Sequence, residues 1–352
     1  MKKTSIILST AMALSLMLGI TACAEDYPTA DKPIKIRMAS FVTEEDSLSE
    51  ILTFAGEKLE ELSGGAIECD VYYNGTVLGF GDMYTGVSEG TADVGLVGMA
   101  VLDSSTKLNQ IFSALHKGLP EDDEIINECY WEAIDKIPAI SEELAEDNLI
   151  RVGFQSFAGS ETLFCSKKSI SGIDDFKGLI IQSSQSLPGQ LFTSLGASTV
   201  AMEISDFYNS LDRGVTDAVY DSWAAFYAQK LMEIGTDYFK FGNGGISAGI
   251  INVMMNKKTF DKLSPEQQDM VYEAFQYGVT ESLKDYDANQ EIAMKTAADN
   301  AAMVEIEGAD LDVVYEKIDE VNEEWFKSIE DAGYPEIRDY YNTLDEILNS
   351  KK

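Results

Sequence analysis

The sequence predicts an α/β protein of two lobes, each a mostly parallel sheet flanked by helices, with one long helix spanning both lobes. Its 352 residues exceed one ordinary domain core, and its 45% apolar composition excludes a disordered chain. Strand-like and helix-like segments alternate, as they do when helices pack on parallel sheets. Two segments, GVSEGTADVGLV from Gly86 and NSLDRGVTDAVY from Asn209, share one pattern: a helix ends at glycine, and an aspartate then precedes a strand. This repeat predicts two lobes of related design.

Local signals predict the elements of the first lobe in chain order. Residues 34–38 alternate apolar and basic side chains as a strand does, and Asp46 is expected to cap a helix that ends at Ser63. A second strand at 66–73 and a helix at 83–89 continue the alternation. The first lobe is therefore expected to begin with a β-α-β-α pattern.

The chain is expected to cross between the lobes twice. An acid-rich helical stretch at 121–146 precedes the apolar strand 149–156, which is expected to carry the chain into the second lobe. A second apolar strand, 247–256, follows a glycine-rich loop and is the expected return. The predicted division assigns residues 34–149 plus 248–285 to the first lobe. Residues 150–247 plus 286–352 form the second lobe and the C-terminal helices.

A long helix is predicted near the C-terminus. Ser264 and Gln267 have the spacing of a capping box, and Pro265 occupies the first helical position. The helix can run without proline to about Ala301, which gives a rod of roughly 55 Å at 1.5 Å per residue. Two further helices, at 310–331 and 335–348, are expected to cover the second lobe.

The N-terminus has the features of a targeting segment. Two lysines precede an apolar run at 6–20, and Ile20-Thr21-Ala22-Cys23 resembles the bacterial lipobox, in which the cysteine is acylated. We therefore predict a lipoprotein signal peptide at 1–22, acylation of Cys23 and a linker at 23–33. The alternative is an ordinary secretory signal with a coincidental cysteine. In the first case the protein is exported, extracytoplasmic and anchored in the lipid bilayer of a bacterial membrane without spanning it.

Composition limits the chemistry that the chain can perform. Its 61 acidic and 26 basic residues give a net charge of −35, which disfavours contact with nucleic acid phosphates. Beyond Cys23, the cysteines Cys69, Cys129 and Cys165 are widely spaced, and His116 is the only histidine. Zinc, redox and histidine-dependent catalytic motifs are therefore unsupported. The sequence predicts no nucleic-acid partner, no metal, no cofactor and no enzymatic activity.

One strand end is unusually polar. In DDFKGLIIQSSQSLPG the aliphatic residues 179–181 are followed by Gln182, Ser183, Ser184 and Gln185, with no basic residue among them. Ligands of open α/β sheets bind just beyond the carboxyl ends of strands. This end is therefore a candidate binding edge that offers amides and hydroxyls.

Several ordered segments between Ile34 and about Asn289 carry a family resemblance. They are ELSGGAIECDVYYNGTVLG, GTADVG, KKSISGIDDFKGLII, LFTSLGASTVAMEISDFYNSLDRGVTDA and KLSPEQQDMVYEAF. Together they resemble the extracytoplasmic solute-binding proteins of TRAP (tripartite ATP-independent periplasmic) transporters. The resemblance implies a periplasmic-binding-protein-like fold that closes on one small molecule and delivers it to membrane-embedded transporter subunits.

The resemblance also implies positions for the ligand site, and this chain departs from the pattern at three of them. The arginine that clamps a carboxylate in the family falls at Gln182, a second arginine of some members at Thr162, and a frequent asparagine at Asp221. Glutamine offers neutral hydrogen bonds in place of a charge-assisted pair, and an aspartate repels an anion. We therefore expect a ligand with hydroxyls, amides or an amine. Arg151, Arg213 or Lys240 could instead bring a positive charge into the site.

The candidate ligand-binding residues come from both lobes. In the second lobe they are Gln182, Ser184, Thr162, Asp221 and Trp223, and in the first lobe Phe41, Glu44, Phe80, Asp82 and Met99. Asp221 or Ser222 could instead cap the helix that follows, and Trp223 or Tyr220 could fill the core. Alternative functions are a sensor or adhesion lipoprotein of the same fold and a carbohydrate-active enzyme using Asp217 and Asp221.

Overall fold

A computed structural model describes residues 27–120, 122–157, 161–165, 168–183, 185–202, 206–242 and 244–352, with strand 161–165 described by its backbone alone. The predicted signal peptide, Cys23 and Ser184 lie outside these residues. No helix within the described ranges combines the length and apolar character that a bilayer span requires.

The described chain forms strands and helices that alternate over most of its length. The strands are β1 (Ile34–Ala39), β2 (Ile67–Tyr72), β3 (Val94–Gly98), β4 (Leu149–Ser156), β5 (Glu161–Cys165), β6 (Ile180–Gln182), β7 (Ser198–Val200), β8 (Ala218–Ser222), β9 (Asp237–Phe241), β10 (Ile250–Asn256) and β11 (Ala302–Ile306). The helices are α1 (Ser47–Leu62), α2 (Met83–Glu89), α3 (Met99–Ser105), α4 (Asp123–Lys136), α5 (Ala139–Glu146), α6 (Ser186–Ser194), α7 (Phe207–Arg213), α8 (Trp223–Ala228), α9 (Lys257–Phe260), α10 (Pro265–Asn300), α11 (Gly308–Asp331) and α12 (Ile337–Asn349).

Two sheets define the two lobes. Their strand orders are β2-β1-β3-β10-β4 and β11-β9-β5-β8-β6-β7. Each contains a parallel three-stranded unit, β2-β1-β3 or β7-β6-β8, whose strands are joined by helices, followed by one antiparallel strand, β10 or β5. The predicted two-lobed α/β architecture, with mostly parallel sheets of related design, is confirmed.

The repeated glycine and aspartate have the same structural task in each lobe. Gly90 and Gly214 end α2 and α7 in the left-handed region, with φ of 84° and 69°. Asp93 then accepts the backbone N–H of Arg37 at 3.0 Å, and Asp217 accepts that of Ile180 at 2.9 Å. Because both acceptors bind a neighbouring strand of their own sheet, this motif fixes the entry of β3 and β8.

Both long apolar strands, β4 and β10, lie in the sheet of the first lobe. β4 pairs with β10 from Leu149 to Ser156, so residues 150–156, which the predicted division gave to the second lobe, belong to the first sheet. The crossing lies beyond Ser156, and the return lies between β9 and β10. The acid-rich stretch before β4 is two helices, because Pro138, which lacks a backbone N–H, separates α4 from α5.

The long helix α10 spans both lobes as predicted. Ser264 and Gln267 form the reciprocal bonds of the capping box, and Pro265 begins the helix. Phe275 of α10 is buried in the first lobe with α1 and β10, whereas Ala293 is buried in the second with β8 and β9. One rigid element therefore contributes to the cores of both lobes.

Gly278 allows α10 to approach α1 closely. A Cβ atom at this position would overlap the carbonyl oxygen of Ile51 and contact the side chain of Ala55 at 3.0 Å. Gly278→Ala is therefore expected to destabilise the protein by about 1–3 kcal/mol, because a backbone carbonyl cannot move aside as a flexible side chain can. Urea denaturation measures this loss. Ala288→Gly, at an exposed position of the same helix, is the control. It measures the difference in helix propensity between alanine and glycine, which is about 1 kcal/mol. Unchanged or higher stability of Gly278→Ala would contradict the close approach.

The C-terminal helices differ from the prediction in where they pack. α11 packs on α6 of the second lobe, but α12 packs mainly on α4 of the first. Tyr341 of α12 donates to the carbonyl of Leu115 at 2.9 Å, and Asp345 contacts His116 Nδ1 at 3.0 Å. Strand β11, which periodicity did not indicate, adds a parallel edge to β9. His116 thus lies in a packing contact between the first lobe and the C-terminal helix.

Candidate ligand-binding site

The strand registers bring three predicted positions of the second lobe onto neighbouring strands. Gln182 ends β6 and pairs with Val219 of β8, two residues before Asp221. Asp221 in turn pairs with Thr162 of β5. Residues two apart on a strand share a face, so Gln182 and Asp221 project from the same face at the carboxyl edge of the sheet. This is the edge where open α/β sheets bind ligands.

Gln182 is the most unusual of these side chains. It is 0% exposed, and neither its Oε1 nor its Nε2 forms a hydrogen bond with any described residue. Leaving a buried amide unpaired costs about 1–3 kcal/mol, and buried polar groups in native proteins almost always have a partner. The amide therefore requires hydrogen-bond partners that the described side chains do not provide.

Asp221 is a partly buried carboxyl group without a basic partner among the described residues. Burial raises its pKa to about 6, and hydrogen bonds from Ser222 oppose this effect. The Ser222 backbone N–H donates to Asp221 Oδ1 at 2.7 Å, while the Ser222 hydroxyl accepts from Ala225 N–H and caps α8. Of the two predicted capping residues, Ser222 caps the helix and Asp221 remains at the sheet edge.

Neutral groups occupy the other side of the same edge. Tyr220 and Ser247 share a hydrogen bond of 3.0 Å, and Ser247 contacts Gln185 Oε1 at 3.4 Å. Ser183 donates to the carbonyl of Gln185 at 3.1 Å. The predicted polar strand end is thus an array of hydroxyls and amides, and Tyr220 belongs to it through its hydroxyl while its ring packs on Phe192.

Trp223 lies in the core of the second lobe. It is 2% exposed, and its ring packs on Tyr238 at 5.0 Å and Phe226 at 5.8 Å between centroids. Of the two predicted roles, ligand contact and core packing, the structure gives Trp223 the position of a core residue. It directly follows Asp221 and Ser222 in the sequence.

The first lobe contributes an apolar edge. Phe41 follows β1, Phe80 precedes α2, and their rings meet edge to face at 4.9 Å. Met99 follows β3 and is buried, and the glycine before it is required because a Cβ at Gly98 would contact the Phe80 ring. Glu44 and Asp82, the predicted polar residues of this lobe, are exposed. The structure therefore brings Phe41, Phe80 and Met99 together.

A second unpaired glutamine was missed by sequence reasoning. Gln155 of β4 is 0% exposed, its Oε1 accepts from Ser282 at 3.0 Å, and its Nε2 has no described partner. Gln155 pairs with Ile251 of β10, and Ile251 pairs in turn with Gly98 of β3, so two strand spacings separate Gln155 from Gly98. The available signal was the polar pair Gln155 and Ser156 at the end of the strand LIRVGFQS.

The basic residues that could have supplied a positive charge lie elsewhere. Arg151 is buried inside the first lobe, where it donates to Asn252 at 2.9 Å and Asn109 at 2.7 Å. Burial lowers its pKa to about 9, and Glu143 opposes this effect. Arg213 is exposed at the end of α7, and Lys240 pairs with Glu305 at 3.5 Å. None of the three contacts Gln182 or Asp221.

A cavity of about 930 Å³ adjoins this edge where helices of the two lobes meet. Ser183 and Gln185 line it, whereas Gln182 lies on the opposite side of the strand end. Its remaining walls are Ala100, Asp103, Ser104, Gln110 and Ser113 from the first lobe, Ser186, Leu187, Gly189, Gln190, Thr193, Ser194, Thr199 and Ala201 from the second, and Glu320, Val321, Glu324, Trp325 and Ser328 from α11. The described lining contains carboxylates, amides and hydroxyls but no lysine, arginine or histidine.

Two α/β lobes that meet at their strand ends around a polar edge define the class of two-lobed ligand-binding proteins. The chain belongs to family 7 of the bacterial extracellular solute-binding proteins (DctP), whose profile matches residues 38–329. The protein is thus an extracellular solute-binding protein. The matched range includes both lobes and every described candidate residue.

Two individual proteins are similar to part of the chain. The chain is 26% identical over 236 residues to the uncharacterized protein YiiZ of Salmonella typhimurium, covering 66% of this chain and 69% of the relative. It is 22% identical over 222 residues to a solute-binding protein of Albidiferax ferrireducens, covering 63% of each.

Solved TRAP periplasmic solute-binding proteins share the fold. One from Bordetella bronchiseptica, with bound (R)- and (S)-mandelate, is 19% identical with a TM-score of 0.77, covering 91% of this chain and 100% of that one. One from a Sulfitobacter species, with bound β-D-galacturonate, is 21% identical with a TM-score of 0.74, covering 89% and 100%. The predicted membership of the TRAP-type solute-binding family is confirmed.

Proposed function

We propose that this protein is an extracytoplasmic receptor that closes its lobes over one small polar organic molecule and delivers it to a TRAP-type membrane transporter. The buried, unpaired amide of Gln182 at the carboxyl end of β6 carries the proposal. A ligand held between the lobes would supply the missing hydrogen-bond partners and would favour the closed arrangement by contacting both lobes.

The ligand is recognised without a basic side chain at Gln182 or Asp221. The solved relatives named above hold mandelate and galacturonate, both carboxylates. A carboxylate is best held by a bidentate arginine, and the family resemblance predicts Gln182 at the position of that arginine. Asp221 on the next strand would repel an anion, and no described basic residue contacts either side chain. These features favour a molecule with hydroxyls, amides or an amine over a simple carboxylate.

The receptor acts at a membrane. The sequence of residues 1–23 supports export, removal of the first 22 residues and acylation of Cys23, which would hold the two lobes at the bilayer surface. The acidic surface favours solubility. The partners of the receptor are the membrane-embedded transporter subunits. Mass spectrometry of the mature N-terminus distinguishes an acylated cysteine from an ordinary secretory cleavage.

A thermal-shift screen tests the receptor function. Acids, polyols, nucleosides and amines are compared at equal concentration, because a ligand at 100 times its dissociation constant adds about 2.7 kcal/mol to stability. We expect at least one non-carboxylate compound to stabilise the protein and small-angle scattering to show compaction with that compound. Binding without compaction would contradict lobe closure, and binding confined to simple carboxylates would contradict the proposed recognition.

A further inference from the structure

We propose that the ligand of this receptor carries an ammonium group that forms an ion pair with Asp221. The proposal rests on the proposed function and specifies the class of molecule that the site takes, an organic amine with neutral polar groups.

The first observation is the position of Asp221. Asp221 is the penultimate residue of β8, its side chain projects from the same sheet face as Gln182, and it pairs with Thr162 in the antiparallel register. Its hydrogen bonds among the described residues come from Ser222, whose backbone N–H donates to Oδ1 at 2.7 Å. An ionised carboxylate has two oxygens and about four acceptor positions, so most of its capacity is available to a ligand.

The second observation is the lack of a counter-charge. Among the described residues, no lysine, arginine or histidine contacts Asp221, and Arg151, Arg213 and Lys240 each lie away from it. Burying a carboxylate is unfavourable unless a cation accompanies it. A hydroxyl can donate to the carboxylate but leaves its charge uncompensated when the lobes close, whereas an ammonium group neutralises it.

The other candidate residues are compatible with an amine. Gln182 supplies a neutral donor and acceptor beside Asp221, and both of its amide atoms need partners. On the first lobe, the predicted ligand-binding residues Phe41 and Phe80 pack edge to face at 4.9 Å, and aromatic ring faces attract cations. The adjoining cavity includes the carboxylates Glu320 and Glu324, which raise the local concentration of cations over anions.

Titration calorimetry with matched pairs of compounds tests this inference. Each amine is paired with a neutral molecule of similar shape: glucosamine with glucose, ethanolamine with ethylene glycol, and choline with 3,3-dimethylbutan-1-ol. Mandelate and galacturonate represent the carboxylates. We expect at least one amine to bind tenfold or more tightly than its neutral partner, and neither carboxylate to compete.

A variant tests whether Asp221 causes the preference for an amine over its neutral partner. Asp221→Asn keeps the shape and the oxygen that accepts from Ser222, and it should reduce the preference for the amine by at least tenfold. Asp174→Asn is the matched control, because Asp174 is an exposed carboxylate that pairs with Lys177 at 2.8 Å, and it should leave affinity unchanged. If Asp221→Asn does not fold, as judged by circular dichroism, the paired titrations of the unmodified protein decide the question.

The outcomes separate this inference from the receptor function. Neutral compounds that bind as well as their amines, or binding restricted to the carboxylates, would overturn the ammonium proposal while the protein remains a solute receptor. An amine preference that survives in Asp221→Asn would also overturn it. Failure of every compound in the panel and in the wider screen would count against the receptor function itself.

Discussion

Replacement of Gln182 by methionine is expected to stabilise the ligand-free protein and to remove most of its affinity for ligand. Methionine has a similar volume without polar atoms, so the substitution eliminates two buried groups that lack partners. We expect the free energy of unfolding to rise by about 1–3 kcal/mol. Affinity should fall roughly 10- to 100-fold, because two hydrogen bonds of about 0.5–1.5 kcal/mol each are lost.

Gln110 provides a matched control for the stability measurement. Its Nε2 donates to the carbonyls of Asp103 and Thr106, and its Oε1 accepts from Trp325. Gln110→Met should therefore lower stability, because it leaves buried partners unpaired. Urea denaturation of the three proteins, followed by calorimetry with the best compound of the screen, gives both quantities. A loss of stability in Gln182→Met equal to that in Gln110→Met would show that the amide of Gln182 is already paired in the free protein.

Replacement of Trp223 by alanine is expected to lower the free energy of unfolding by about 3–5 kcal/mol, the range measured for large aromatic residues in packed cores. The ring fills the space between α8 and β9, where it contacts Tyr238 and Phe226. The cavity left behind also loosens the start of α8, which holds Asp221 and Ser222 in place. Denaturant unfolding measures the first effect and ligand titration the second.

A conservative variant distinguishes packing from ligand contact at this position. Trp223→Phe retains an aromatic core side chain and should recover much of the lost stability together with ligand affinity. Should Trp223→Ala instead retain full stability and lose only affinity, the side chain would act as a ligand-stacking surface. In that case the core position seen in the structure would not describe the bound protein.

Much of the fold follows from local signals in the sequence. Asp46 caps α1 by accepting from Leu48 N–H, and Ser264 and Gln267 form the predicted capping box of α10. These elements are predictable because a cap depends on residues within one turn of itself. The repeated glycine and aspartate likewise indicate two equivalent units from the sequence alone.

Other elements depend on contacts between distant residues. Strand β11 is mostly exposed and lacks an alternating pattern, and it is a strand through its parallel pairing with β9. The side on which α12 packs is decided by Leu115 and His116, more than 200 residues earlier in the chain. Assignment of β4 to the first lobe rests on pairing with β10, about 100 residues away. Such contacts leave no local periodicity.

The candidate site divides in the same way. The sequence alone indicated that Gln182 and Asp221 lie near strand ends, and the family resemblance predicted Gln182 at the position of an arginine. Only the tertiary structure decided that these two side chains share one sheet face, that Trp223 fills the core, that Gln155 is a second buried amide, and that Arg151 is sequestered. The reason is physical: residue type and local spacing are written along the chain, whereas burial and the presence of a partner depend on which distant strands and helices pack together.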